Sequence, residues 1–191
     1  MYIFRNIFLV CCLFLLSNQA NACKSKSSTL SHQIDDCYPA LSNAYASLDP
    51  KKMTNVYAPD GIYISARKSR PIVNGKENLY KLYDAYFTRV KKHNSSLDLK
   101  FRVTNRRVDK KTINDVGYYL VTVIPPKESP QPPKQHAGKF IMTFSQQDDG
   151  TWGIWSEANS VSEIKNYINS KKVDGLYYDT YHPIENFMTK K

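Results

Sequence analysis

The stretch Tyr57-Ala-Pro-Asp-Gly-Ile-Tyr-Ile-Ser65 carries the strongest fold signal in this chain of 191 residues. It predicts a helix end, a turn at Asp60-Gly61 and a short strand through Ile62 and Ile64. A second stretch, Gly150-Thr-Trp-Gly-Ile-Trp155, predicts a turn that opens a late strand. The residues between the two stretches switch from helical to extended periodicity, so this segment should form one domain of mixed structure.

Two helices are predicted before the first stretch. The apolar residues from Leu30 to Leu48 follow helical spacing, but Pro39 interrupts them. Because proline lacks a backbone N–H, the helix should kink near Cys37 or restart with Pro39 in its first turn. Asp49-Pro50 predicts the start of a second, shorter helix, since aspartate is a good N-cap and proline suits the first helical position.

A third helix and at least three long strands are predicted after Ser65. Asn74 is the expected cap of the helix. Its apolar face consists of Leu79, Leu82, Tyr83, Tyr86, Phe87 and Val90. Apolar and polar residues alternate over 97–103, which predicts a strand with one solvent-exposed face. Residues 116–124 are apolar at both alternating sets of positions, which predicts a central strand. The next strand should have an inner row of Phe140, Met142 and Phe144. This order predicts an α+β layer of helices on a sheet.

Four short motifs support this order: Asp49-Pro-Lys-Lys-Met53, Tyr57-Ala-Pro-Asp60, Asn74-Gly75 and Asp149-Gly150-Thr-Trp152. Together they resemble the nuclear transport factor 2-like superfamily, and most of all its SnoaL-like branch and relatives of unknown function. The resemblance covers residues 38–160. It implies a single cone-like α+β domain, in which helices pack on the concave face of a curved antiparallel sheet around a deep pocket.

The segments outside this domain have their own signals. Arg5, the apolar run Ile7–Leu16 and the small residues of Ala20-Asn-Ala22 predict a signal peptide over 1–22. The alternative is an N-terminal anchor that stays attached. Residues 23–37 form an N-terminal segment, and 161–191 a C-terminal helix and aromatic tail. The mature chain should be secreted or periplasmic, without a transmembrane span.

Two cysteines remain after cleavage, Cys23 and Cys37. An even number of cysteines in an exported protein predicts a disulfide, which would link the N-terminus to the first helix. Two free thiols are one alternative. Lipidation of Cys23 as the first mature residue is another, although Ala20 stands where a lipobox prefers leucine.

The composition excludes several function classes. The formal charge of +10 falls to +9 once residues 1–22 and their one arginine are removed. Such a surface attracts anions, or is simply solvated, and export separates it from most nucleic acid. The four histidines lack ligand spacing, and there is no glycine-rich phosphate loop, so no metal and no cofactor are expected. Asn94-Ser-Ser96 is a glycosylation sequon if the source is eukaryotic.

The ketosteroid isomerases of the superfamily are enzymes that use an aspartate base, with a tyrosine and a protonated aspartate holding the oxyanion. Aligned on the motifs, the base falls on Ser65, the tyrosine near Leu41 and the oxyanion aspartate near Ala137. None of these side chains can perform those roles. The sequence therefore argues against isomerase activity of that kind.

Two carboxylates remain as candidates for other chemistry. Glu157 follows Trp155 at strand spacing, so the two should share a face. If that face is concave, burial would raise the pKa of Glu157 and suit it to acid or base catalysis. Asp60 could also face the pocket, although aspartate more often ties down its own turn. The alternative for Glu157 is an exposed strand end.

Five aromatic rings are expected to converge under the helices: Tyr57, Tyr63, Tyr83, Phe87 and Trp155. They would either line a ligand pocket or fill the core. The leading interpretation is an exported, non-catalytic module that binds an apolar small molecule or a protein, with a homodimer through the sheet. The alternative is a small-molecule lyase, hydrolase or isomerase that uses Glu157 or Asp60.

Overall fold

The computed structural model describes residue 23 and residues 29–177. A 3-10 turn, Leu30–His32, precedes four helices: α1 Cys37–Ala46, α2 Pro50–Asn55, α3 Gly75–Lys92 and α4 Ile164–Ile168. The six strands are β1 Tyr57–Ile64, β2 Val73–Asn74, β3 Ser96–Asp109, β4 Thr112–Ile124, β5 Lys134–Gln146 and β6 Trp152–Ser162. The predicted signal peptide and the tail beyond Tyr177 lie outside the described residues.

The strands form one curved sheet in the order β2-β1-β6-β5-β4-β3. The long strands β3 to β6 follow each other as antiparallel hairpins, and β2 pairs antiparallel with β1. The exception to the predicted antiparallel sheet is the pair β1 and β6, which is parallel because the chain crosses over between them. Helices α1 to α3 pack on the concave face, so the α+β prediction is confirmed.

The helix starts follow local chemistry. Pro39 lies in the first turn of α1, where its missing N–H costs no helical hydrogen bond. Asp49 caps α2 by accepting bonds from the N–H groups of Lys51 at 2.9 Å and Lys52 at 3.1 Å. Asn74 occupies the N-cap position of α3 as predicted, although its side chain makes no cap hydrogen bond. Gly75 enters α3 at φ +76°, a conformation that favours glycine.

The turn predicted at Asp60-Gly61 is replaced by an irregularity inside β1. The register with β6 shifts between Tyr57 and Ile62, and Pro59, which cannot donate to a ladder, lies within the shift. A Cβ on Gly61 would lie 3.0 Å from two backbone carbonyl oxygens, so glycine permits this close approach. The strand therefore begins at Tyr57 rather than after the turn.

The core lies between the concave face and α1 to α3. Leu97, Leu99, Phe101 and Val103 of β3 and Phe140, Met142 and Phe144 of β5 are buried there. The outer face is covered in part by α4, whose Tyr167 packs on Leu120 and Ala137. The outer face of β3 is therefore not wholly wet as predicted, because Arg102 is buried beneath the Tyr167 ring.

The N-terminal segment is tied to the domain. Cys23 and Cys37 form the predicted disulfide, with their Cα atoms 5.2 Å apart. The Cys23 carbonyl also accepts from the Trp152 N–H at 3.4 Å, and the Trp152 indole donates to the Gln33 amide oxygen at 2.9 Å. Among the described helices, none has the length and apolar character needed to cross a membrane.

Candidate ligand-binding cavity

A cavity of about 420 Å³ lies between the concave face and the helices. Its walls come from α1 (Leu41 and Tyr45), from α3 (Leu82, Tyr83 and Tyr86) and from the strands (Leu99, Phe101, Tyr119, Val121, Met142, Glu157). The volume falls in the range of small-molecule sites, and apolar walls around a few polar groups are typical of them.

Glu157 is the polar centre of the cavity. It is 8% exposed, and both of its carboxylate oxygens accept hydrogen bonds. The Tyr57 hydroxyl donates to Oε2 at 2.5 Å, and the Asn159 amide donates to Oε1 at 3.3 Å. Because Tyr57 gives its one proton to Glu157, the Tyr83 hydroxyl donates in turn to Tyr57, at an oxygen–oxygen distance of 2.8 Å. Glu157 therefore ends a chain of tyrosine hydroxyls.

Tyrosine rings surround this centre. Tyr83 contacts the rings of Tyr45, Tyr57 and Tyr63 at centroid distances of 6.2–6.5 Å. The Tyr63 hydroxyl accepts from the Asn159 amide at 3.1 Å, so one amide joins Tyr63 to Glu157. The rings supply apolar contact area, and their hydroxyl groups can orient a bound molecule.

Burial changes the acidity of the whole cluster. It raises the pKa of Glu157, and the hydrogen bonds from Tyr57 and Asn159 only partly oppose that rise. Burial and the nearby Glu157 also raise the pKa of Tyr57 and Tyr83. The pKa of Tyr119 rises to about 12, through burial first. These tyrosines therefore act as neutral hydrogen-bonding groups, and Glu157 is the titratable group of the cluster.

The mouth of the cavity is basic. We call Arg67, Arg70 and Arg89 the arginine rim, since all three line the opening and none is fully buried. His136 of β5 also lines the opening, and burial lowers the pKa of its imidazole. Three arginines thus belong to the more exposed part of the cavity lining, while the Glu157 carboxylate is buried.

The five predicted rings do not all line the cavity. Tyr63 and Tyr83 line it, whereas Tyr57 and Phe87 are fully buried behind its wall. Phe87 packs against Tyr83 at a centroid distance of 6.0 Å. The convergence of these four rings follows the prediction, and the ligand-binding role stays a prediction.

Trp155 lies on the outer face, 41% exposed, so the expectation that it shares a face with Glu157 is wrong. In β6, Ile154 pairs with Phe144 and Ser156 pairs with Thr143, which leaves Trp155 as an extra residue. Such a bulge shifts the alternation of side chains by one position. Glu157 consequently faces the concave side and Trp155 faces away from it.

The remaining predicted positions divide between the two faces. Asp60 is exposed on β1 and does not line the cavity, so the prediction that it could face the pocket is wrong. Ser65 and Leu41 line the cavity, as the isomerase alignment implies. Ala137, however, faces α4 on the outer side, because its strand neighbour His136 takes the inward position. An oxyanion-binding side chain at 137 would not reach this cavity.

Several cavity residues were missed as polar site residues. Tyr45 and Tyr86 lie on the apolar faces of the predicted helices and Tyr119 within the predicted central strand 116–124, so periodicity marks all three as core residues. Asn159 offered a clearer signal, because a residue two positions after Glu157 on a strand shares its face. Among the described residues, no group of three or more His, Cys, Asp and Glu side chains is placed to hold a metal ion.

A second buried carboxylate, Asp115, lies outside the cavity. Arg106 binds it with two bonds, Nε to Oδ1 at 2.7 Å and an η nitrogen to Oδ2 at 2.8 Å. Asp115 also accepts from the Tyr38 hydroxyl, and Arg106 reaches Asp35 at 2.7 Å and the Ser31 carbonyl. This network fastens the N-terminal segment to the sheet.

No protein-family model matches the sequence, and no curated protein matches it. Solved structures do match in fold. A nuclear transport factor 2-like superfamily protein from Salmonella enterica shares 15% identity and a TM-score of 0.57, over 79% of this chain and 99% of that one. A ketosteroid isomerase-like protein from Erwinia carotovora shares 15% identity and a TM-score of 0.53, over 68% and 94%. A Catenulispora acidiphila protein, solved in complex with S-DNPA, shares 13% identity and a TM-score of 0.58, over 71% and 95%.

The sheet order, the helices on the concave face and the enclosed cavity define a cone-shaped α+β domain. With the structural matches, they show that this chain has the nuclear transport factor 2-like fold.

Proposed function

We propose that this protein is an exported, non-catalytic module that binds an apolar small molecule in the cavity between α3 and the sheet. The observation that carries the proposal is an open space of about 420 Å³ walled by tyrosine rings around one buried carboxylate. Rings give contact area, while Glu157 and the neighbouring hydroxyl groups fix orientation.

The absence of catalysis in this proposal rests on the surroundings of Glu157. Tyr57 and Asn159 already donate to its two oxygens and partly oppose the rise in pKa that burial causes, so a substrate would have to compete with both donors for the carboxylate. The aligned isomerase positions also lack suitable side chains, since Ser65 and Leu41 line the cavity and Ala137 faces away from it.

Binding can be tested with N-phenyl-1-naphthylamine, a neutral apolar fluorophore. The wild-type protein should enhance its fluorescence and melt at a higher temperature in its presence. Leu82→Trp fills the cavity from α3 and should abolish both effects. The matched control Val116→Trp places the same side chain on the outer face and should preserve them. Equal loss in both variants, or no binding by the wild type, would overturn the proposal.

A second candidate function is a lyase, hydrolase or isomerase that uses Glu157 as acid or base. The observation in its favour is the raised pKa of this buried carboxyl inside an accessible cavity. A turnover assay with carbonyl, ester and epoxide substrates distinguishes the two functions. Turnover that Glu157→Gln abolishes, with probe binding intact, supports the enzyme; retained turnover in that variant excludes this role.

Export is proposed from residues 1–22 and is supported by the disulfide. A Cys23 sulfur bonded to Cys37 cannot also carry the thioether of a lipid anchor. The mature protein should therefore be secreted or periplasmic and begin at Cys23. Intact-mass analysis of exported material should show the loss of 1–22 without an adduct. A diacylglycerol adduct on Cys23 would support the lipid-anchored alternative instead.

A protein-binding role is supported by the outer face of the sheet. Val116 and Ile141 pair across β4 and β5 and are 40% and 54% exposed, with Trp155 exposed on β6. We propose a homodimer through this face, because apolar side chains there would gain from burial. Ile141→Lys should shift sedimentation to the monomer, whereas Ile72→Lys, another exposed isoleucine, should not. A monomeric wild type at all concentrations would refute the dimer.

A further inference from the structure

Resting on the proposed function, we propose that the ligand carries an anionic group, held by the arginine rim while its apolar body lies against the tyrosine rings. The class is an aromatic or apolar molecule with one carboxylate, sulfonate or phosphate. The argument starts from where Arg67, Arg70 and Arg89 lie.

The rim is built by two separate elements at the cavity mouth. Arg67 and Arg70 belong to the loop after β1, and Arg89 belongs to the last turns of α3. The loop has defined geometry, since the Arg67 N–H donates to Ser65 Oγ at 3.1 Å and the Arg70 N–H donates to the Arg67 carbonyl at 3.0 Å. Guanidinium groups from two elements therefore meet a molecule that enters the cavity.

The rim arginines differ from the buried arginines in their partners. Arg106 is paired with two carboxylates, and Arg102 donates to the carbonyl groups of Tyr167 and Ile168. By contrast, no ion pair joins a rim arginine to an acidic side chain in the part of the chain that the structure describes. Three positive side chains that line one cavity, without an acidic partner among the described residues, favour the binding of an anion there.

The positive charge of the rim affects the pKa of two tyrosines in the cavity wall. Burial raises the pKa of Tyr63, and Arg70 opposes that rise. Burial also raises the pKa of Tyr86, and Arg89 opposes it in the same way. Two rim arginines are therefore close enough to act on tyrosines that line the cavity. An anion at the rim would lie beside these rings.

The position of Glu157 sets the orientation of the ligand. Within the described lining it is the one carboxyl group, and it lies deeper than the rim. An anionic group placed beside it would be repelled, whereas one at the rim would meet planar guanidinium groups that bind carboxylate or phosphate with two bonds. The apolar body then points inward, and any hydroxyl or amine on it can donate to Glu157.

Two fluorophores with the same body test this inference. 8-Anilinonaphthalene-1-sulfonate is N-phenyl-1-naphthylamine with one added sulfonate. The wild-type protein should bind the sulfonate roughly tenfold more tightly than the neutral probe. The triple variant Arg67→Gln/Arg70→Gln/Arg89→Gln should lose that preference and keep its affinity for the neutral probe. Raising the salt from about 50 to about 500 mM should weaken the sulfonate alone.

The matched control is Arg107→Gln/Lys110→Gln/Lys111→Gln, which removes the same charge from exposed positions around the β3–β4 turn. It should preserve the preference for the sulfonate. Equal weakening in both triple variants, or equal affinity of the wild type for the two probes, overturns the inference and leaves the cavity as a binding site. Failure of the wild type to bind the neutral probe overturns the proposed function itself. Cooperative unfolding of each variant verifies that it is folded.

Discussion

Glu157 and Asp115 are both buried on this sheet, and each accepts a hydrogen bond from a tyrosine hydroxyl, but their partners differ. Asp115 is bound by Arg106 in a closed network that also holds Asp35. Glu157 has a tyrosine and an amide instead, without a paired cation among the described residues, and it opens onto a cavity.

The difference separates a carboxylate that is closed into a salt-bridge network from one that is open to a cavity. Burial raises the pKa of Asp115, and the charge and two hydrogen bonds of Arg106 oppose that rise. The carboxylates around Arg106 more than offset the effect of burial and raise its own pKa. The two short bonds between Arg106 and Asp115 make this pair a structural link between the strands and the N-terminal segment. Burial raises the pKa of Glu157, and among the described residues only the neutral donors Tyr57 and Asn159 oppose that rise.

The largest expected effect comes from breaking the fastening. Arg106→Ala leaves Asp115 and Asp35 without their cation, and should lower the free energy of unfolding by about 3–5 kcal/mol. Urea denaturation measures this loss. The control Arg107→Ala, on the exposed side of the same strand, should change stability by less than about 0.5 kcal/mol. A small loss for Arg106→Ala would mean that the network is not a fastening.

A comparable loss is expected behind the cavity wall. Phe87 is fully buried and packs on Tyr45, Tyr83 and Tyr86, so Phe87→Ala should cost about 3–4 kcal/mol. Thermal denaturation should show this loss. The neutral probe should still bind at a temperature where the variant is folded, because Phe87 does not line the cavity. A variant that loses probe binding but keeps its stability would place Phe87 in the site.

The disulfide should contribute next. Cys23 and Cys37 are 14 positions apart, so closing this loop restricts the unfolded chain by about 3 kcal/mol in the chain-entropy model. The double variant Cys23→Ser/Cys37→Ser should lose about that amount in urea denaturation under non-reducing conditions. Adding a reductant should destabilise the wild type and leave the variant unchanged. Equal stability of wild type and variant would contradict this contribution.

The smallest effect tests the pH response of Glu157. Its folded pKa is higher than the ordinary value of 4.5, so the folded state binds the proton more tightly. The stability that this provides is full below pH 4.5 and is lost as the pH rises through the folded pKa. Glutamine does not ionise, so Glu157→Gln should not show this loss. The stability of the variant relative to the wild type should therefore increase as the pH is raised from acid to neutral. Parallel stability curves for the two proteins would show that Glu157 is not perturbed.

Local patterns predicted most of the fold but only part of the site. The apolar face of α3 and the inner row of β5 follow directly from side-chain periodicity, which depends on residues near in sequence. The Asp49 cap is likewise a contact over three residues. Trp155 was misplaced because one bulged residue reverses a strand's faces, and periodicity gives no sign of it.

Residue type and spacing were enough to place the start of α2, the long hairpin strands and the Cys23–Cys37 disulfide. Packing, by contrast, brings Glu157 to Tyr57, a residue 100 positions away, and Arg106 to Asp115. It also brings arginines from a loop and a helix to the lining of one cavity. These contacts join distant segments across a curved sheet, and the curvature and bulge that align them are properties of the packed whole.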